Sequence, residues 1–483
     1  MAALDISPLT FEDIDPERRP SFRTALLPVL AIVLFLGVGS AVLKLDPHVP
    51  LLWSIIFVAV LARHRLGLSW DEVGEGLARG LLMGRQALFI IFVIYALIAT
   101  WISAGTIPAL MSYGLELLSP QVFLPVAAIL GFAVAFAIGS SWTTVGTLGV
   151  AFVGIGSGLG VPAPMTVGAV LSGAYAGDKQ SPLSDTTNLA AGVTNTDLYD
   201  HIRAMRASTL VAFGLAVVVY AVLGIQVASG GVAGGTVSEI QNALSGSYAL
   251  SPLAFLPLVV TFGLALRQYP ALPTLVSGVL AGVFTTIVLQ GAGFVEAWNV
   301  FMSGTSPQTG SDLVNGLLGS GGLTGSAWTI TVVVAALSLG GLLEKTGVLA
   351  VLAHELAQSV RSVGGLVAGT GVAAIVTNVL TAQQYMSIVV PGLTLRDVYD
   401  EYGLDNEDLS QAIESAGTPT GALIPWHAGA VYMAEVTGVA TTAYAPYYFF
   451  GILSPLVLFA IAATGVGLPE SSSSSTTTPS AAD

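Results

Sequence analysis

Between Glu116 and Asp178 the chain carries no charged side chain, and this charge-free stretch is the strongest constraint on what it can fold into. A run that long holds several helices' worth of apolar residues, more than the interior of a water-soluble globule accommodates, and it suits a chain that folds in hydrocarbon. Composition agrees: of 483 residues, 54% are hydrophobic and only 9% charged, which excludes an ordinary soluble enzyme and points to a membrane protein. Apolar runs of spanning character cover residues 24–43, 50–62, 207–225, 252–266, 270–289, 327–343 and 444–465. The short alternating segments of a transmembrane barrel are absent, so the expected class is an all-α polytopic membrane protein.

The first residues are polar and acidic, with Glu12, Asp13, Asp15 and Glu17 ahead of the first apolar run, which is not the layout of a cleaved signal. No cysteine is present, so disulfides, thiolate metal sites and sulfur redox chemistry are excluded. The net charge is −14 and the lysines are only Lys44, Lys179 and Lys345, a balance that fits a protein of a high-salt habitat. Arginine placement sets the orientation. Arg18, Arg19 and Arg23 precede the first span and Arg63 and Arg65 follow the second, which puts the N-terminus in the cytoplasm. Arg203 and Arg206 mark a further cytoplasmic return, whereas the acidic connection 396–410 is expected outside.

The two halves of the chain echo each other. The run from Val49 is answered by the one from Leu272, each followed by a glycine and a short amphipathic stretch. The run from Ala96 is answered by the one from Leu337, with Gly105 opposite Gly347. The order of these pairs predicts two inverted-topology repeats, residues 24–228 and 249–466. Around them lie a cytoplasmic segment 1–23, an extracellular linker 229–248 and a disordered tail 467–483. Within each repeat one segment is expected to enter and return on the same side: residues 164–196, with DKQSPLSD at the tip, and residues 409–436, with GTPTGALIP at the tip.

Polar interruptions break the apolar sequence at Ile138, Gly177, Val376 and Glu414, each with glycine or proline beside hydroxyl or amide side chains. Irregular backbone at membrane depth survives only where it is buried in protein or lines a watery cavity, so these are candidate walls of a transport site. Asp178 and Asp185 flank Pro182, and two carboxylates brought close together can hold either a proton or a hard cation. Intramembrane charges are costly and are kept for function, although Lys179 offers a simple structural partner for Asp178. Ser181, Thr186 and Asn188 are candidate neutral ligands beside them. Ser141, Thr143, Thr144, Thr377, Asn378, Thr418, Glu414 and His427 form the candidate opposing wall. Trp142 and Trp426, inside the interruptions, are placed to line or gate a cavity, while Asp71, Glu72, Glu75, Arg79 and Arg85 read as the wet face of an interfacial helix. No Walker loop, HExxH or nucleophile elbow is present, so no catalytic residue is assigned.

The run GDKQSPLSDTTNLA, residues 177–190, resembles closely the G-D-x-x-S-P-L-S-D-T-T-N-L-A motif of NhaC-type sodium/proton antiporters, and the stretch around GTIP at Gly105 is similar to that family as well. The resemblance implies a proton-coupled secondary antiporter in the lipid bilayer of the cell membrane, with inverted repeats, hairpins and a homodimeric assembly. It implies no cofactor and no nucleic acid. Some members of the family exchange organic acids such as malate for lactate, and others amino acids.

The leading expectation is Na+/H+ exchange by alternating access, with Asp178 and Asp185 binding Na+ and proton in turn. The alternative is a coupled exchanger of organic acids or amino acids on the same scaffold. Lys179 is the basic residue of the interruptions, and one lysine beside two aspartates makes a poor trap for a bare anion.

Overall fold

The structure, a computed structural model, describes residues 9, 11–229 and 234–466, and among these it is almost wholly helical. Polar caps start many of the helices: Ser21, Ser69, Ser140, Ser184 and Ser362 each accept a backbone N–H of the turn that follows. The first half runs α1 (Phe22–Leu36), α2 (His48–Arg65), α3 (Trp70–Met83), α4 (Arg85–Ser103), α5 (Thr106–Leu117), α6 (Pro120–Ile138), α7 (Ser141–Gly158), α8 (Ala163–Gln180), α9 (Asp185–Thr194) and α10 (Leu198–Ser229). Next comes α11 (Gly234–Ser247), inside the expected linker, and then α12 (Leu256–Leu266), α13 (Ala271–Gln290) and α14 (Phe294–Ser303). The short helices α15 (Asp312–Leu317) and α16 (Gly322–Gly325) lie in the Gly/Ser-rich insertion. The chain continues through α17 (Ala327–Lys345), α18 (Val348–Ser359), α19 (Val363–Thr381), α20 (Gln384–Glu401), α21 (Asn406–Thr420), α22 (Ala428–Thr437), α23 (Thr441–Tyr444) and α24 (Phe449–Thr464). The tail expected to be disordered lies outside the described residues.

Seven of these helices are long and apolar enough to cross a membrane, or up to nine spans if two bent pairs are counted. The fold is therefore that of a polytopic membrane protein. Many of its large apolar side chains face outward, Leu30, Val218 and Phe284 among them, as lipid contact requires.

Two hairpins and two broken spans occupy the centre. The hairpins are α6–α7 and α19–α20, because the far end of each second arm returns to the start of the first. A Cβ on Gly156 would stand 3.0 Å from the Phe123 ring, and Tyr399 and Thr370 hydroxyls lie 2.9 Å apart. Segments 164–196 and 409–436, expected to be the hairpins, instead form the broken spans α8/α9 and α21/α22. Helix α9 does not fold back on α8. It runs on to meet α20 and α21, with Val193 against Gly392 and Thr186 bonded to Glu414. The reason is local geometry. At each hairpin tip a left-handed residue, Gly139 (φ 73°) or Ala382 (φ 54°), reverses the chain with only one further residue before the next helix, so the sequence shows no loop there. Helix α8 packs tightly along α6, where a Cβ on Gly173 would fall 1.9 Å from the Ala128 carbonyl oxygen, so glycine is obligatory at this contact.

A second expectation is also corrected. The starts of α10 and α21 lie side by side: His201 Nδ1 is 2.8 Å from Ser410 Oγ, and Gln411 Nε2 donates to Ser208 Oγ at 3.2 Å. The acidic connection 396–410 is thus at the same end of the bundle as Arg203 and Arg206, not the opposite one. Carboxylates carry little orienting information in a membrane chain, and reading them as an outside marker overweighted them. At that end Arg79 pairs with Glu344 at 2.9 Å, Lys345 with Glu75 at 3.2 Å and Arg18 with Glu72 at 2.8 Å, so the charges expected on the wet face of α3 pair with α17 and the N-terminal segment. Ser69, through its backbone N–H, holds the Glu72 carboxyl below its ordinary value as part of the capping box of α3.

Candidate functional site

The tip of each hairpin meets the break of a crossing span. Gly139 stands against Leu183, at the α8/α9 break, and a Cβ there would be 2.5 Å from the Leu183 carbonyl carbon. In the second half Ala428 N–H donates to the Ala382 carbonyl at 2.9 Å, and Trp426 Nε1 donates to the Val379 carbonyl at 2.9 Å. Between these junctions lies a small cavity. Its polar lining is Ser140, Ser141, Asp178, Asp185, Thr186, Gln383, Gln384, Tyr385 and His427.

The arrangement is set by helix ends. The first turns of α7, α9, α20 and α22, or the residues capping them, all border this one cavity. Each helix N-terminus presents unsatisfied N–H groups and partial positive charge, so the cavity is positive in its backbone and acidic in its side chains. Asp178 answers α7, its Oδ2 accepting from the Ser141 N–H at 2.9 Å. Asp185 lies in the first turn of α9, accepts from the Thr186 N–H at 2.9 Å through Oδ1, and takes the Tyr385 hydroxyl at 2.5 Å on Oδ2. His427 caps α22 by accepting from the Gly429 N–H at 3.0 Å, and its Nε2 lies 3.2 Å from Asn378 Oδ1.

Of the residues singled out in the sequence, Asp178, Asp185, Thr186, Ser141 and His427 meet in the cavity. Glu414 is fully buried behind it and accepts from Thr186 Oγ1 at 3.3 Å. Lys179, also fully buried, donates to Ser415 Oγ at 3.3 Å and acts electrostatically on Glu414. Several candidates serve the backbone instead. Ser181 accepts from the Leu183 N–H, Asn188 donates to the Pro182 and Ser184 carbonyls, Thr144 donates to the Ser140 carbonyl and Thr377 to that of Ala373. Asn378 ties α19 to α21 by donating to the Gly417 carbonyl and to Thr420. The hydroxyl of Thr143 is buried with no hydrogen-bond partner and borders a second cavity that reaches Asp185, while Thr418 faces the Glu414 carboxyl. A third opening runs from Asp185 past Asn188 to Arg85 and Arg396, at the end that carries the acidic connection.

Sequence reading missed Tyr385, Gln383 and Gln384. They sit in the interruption that begins at Val376, and the signal was the density of polar side chains beside a chain reversal rather than any charge. Trp142 stacks on Tyr432, ring centroids 4.7 Å apart, and so forms one wall of the cavity. Among the described residues no group of three or more acidic or imidazole side chains converges to hold one metal ion.

The chain is 53% identical over 464 residues to an arginine/ornithine antiporter of Halobacterium salinarum, covering 96% of both chains. It is 37% identical to the Na+/H+ antiporter NhaC of Alkalihalophilus pseudofirmus, over 93% of this chain and 97% of that one. It is 34% identical to the malate-2H+/Na+-lactate antiporter of Bacillus subtilis, over 89% and 93%. These relatives are transporters rather than enzymes. The profile of the Na+/H+ antiporter family matches residues 18–178 and 173–466, and the chain belongs to that family.

Proposed function

We propose that this antiporter exchanges basic amino acids, arginine against ornithine, through the cavity bordered by Asp178 and Asp185. The observation that carries the reading is the 53% identity, across 96% of both chains, to an arginine/ornithine antiporter. The site's chemistry supports it. The buried Asp178 and Glu414 and the half-buried Asp185 oppose the buried Lys179 at the centre, a balance suited to a cationic side chain. The backbone's positive ends suit the carboxylate that every amino acid carries.

Na+/H+ exchange remains the second reading, favoured by the Asp178 and Asp185 pair inside the motif shared with NhaC-type proteins and by the 37% identical relative. In it Asp178 and Asp185, with Thr186, hold Na+ and proton in turn, and Ser181 and Asn188 shape the break. The proposal includes two inverted repeats, supported by the matching order of α4 to α9 and α17 to α22 around left-handed Gly105 and Gly347. It also includes a homodimer in the cell membrane of a salt-adapted cell, with the end bearing Arg203, Arg206 and Arg396 in the cytoplasm.

The test uses the full chain in liposomes loaded with ornithine, with labelled arginine outside. Ornithine-dependent uptake that Asp178→Asn and Asp185→Asn abolish supports the first reading. Absence of uptake, together with Na+-driven proton movement reported by a trapped pH dye, overturns it in favour of the second.

A further inference from the structure

We propose that the first turn of α20, with the side-chain amide of Gln383, is the subsite that holds the α-carboxylate and α-ammonium of the transported amino acid. This inference rests on the amino-acid reading above. Three of the four helix starts around the cavity are answered from within the chain: α7 by Asp178 and Ser140, α9 by Ser184 and Asp185, and α22 by His427. The start of α20 is not, since its N-cap residue Gln383 makes no side-chain capping hydrogen bond. Gln383 is only 3% exposed and borders the cavity, yet both its Nε2 and its Oε1 lack a hydrogen-bond partner. A buried amide without partners is costly, and a long helix with an open N-terminus favours an anion.

One ligand group satisfies both. A carboxylate accepts from Nε2 and from the exposed N–H groups of the helix start, while an adjacent ammonium donates to Oε1. An amino acid's head group is that pair of charges on one carbon. Left-handed Ala382 (φ 54°) followed by extended Gln383 (φ −141°) holds this amide at the hairpin tip. The cationic side chain of the substrate is then left to Asp178 and Asp185, which border the same cavity. A bare Na+ ion would use neither Nε2 nor the N–H groups.

The experiment compares arginine with agmatine, which is arginine without its carboxylate, as competitors of labelled arginine uptake in ornithine-loaded liposomes. Wild type, Gln383→Leu and Gln383→Glu are measured. The expected result is that Gln383→Leu weakens arginine by about tenfold, the factor of one charge-assisted hydrogen bond, and changes agmatine less than about twofold. Gln383→Glu is expected to exclude arginine while still admitting agmatine. Equal loss of both ligands in Gln383→Leu, or agmatine competing as well as arginine in wild type, overturns the subsite. The wild-type comparison decides the matter if the variants do not fold. Wild type that takes up no arginine overturns the amino-acid reading itself, a result distinct from arginine uptake without head-group selectivity.

Discussion

Lys179 and Glu414 are each fully buried. Leaving either alone in that setting costs about 3–5 kcal/mol, whereas removing both costs far less. Lys179→Gln and Glu414→Gln are therefore each expected to lose most exchange and thermal stability, and the double variant to recover stability toward wild type. A melting curve of the purified set checks this, and additive losses would break the pairing. Tyr385→Phe takes one donor from Asp185 and is expected to lower stability by about 0.5–1.5 kcal/mol while reducing transport more than stability. A detergent melting curve set beside the uptake rate separates those effects. The acidic pair was legible in the sequence because charge inside an apolar run stands out. Tyr385 and Gln383 were not, since their roles depend on which helix end they face, and that is decided by packing across the two halves.

The hairpin tips show how little chain an element boundary requires. Both are reversed by one left-handed residue, glycine in the first half and alanine in the second. A left-handed alanine stores strain of order 1 kcal/mol, so Ala382→Gly is expected to stabilise the fold slightly. Gly139→Ala meets both the backbone penalty and Leu183, and is expected to destabilise by more than about 1 kcal/mol. Urea or thermal titration of the paired variants measures both, and effects of equal sign would refute the account. The helices themselves were readable from hydropathy. The assignment of hairpin and broken span was not, because Pro182 and its polar neighbours resemble a tip, whereas the true tips interrupt the helix for only two residues.

The two ends of the molecule differ in charge, and this makes its topology directly measurable. Because the chain has no cysteine, single cysteines report without background. Arg203→Cys and Glu401→Cys are expected to react with a membrane-impermeant maleimide from the same side, and Lys44→Cys from the other. Labelling of Arg203→Cys and Glu401→Cys from opposite sides would contradict the adjacency of Ser410 to His201. The acidic loop misled because carboxylates are tolerated on either face. The cavity bordered by four helix starts has a further consequence. Peptide dipoles cannot be exchanged by point mutation, so the positive half of the pocket is inherited with the backbone itself. A lineage built on this scaffold can retune its acidic half one codon at a time, but losing its affinity for anionic groups would require moving where the helices begin.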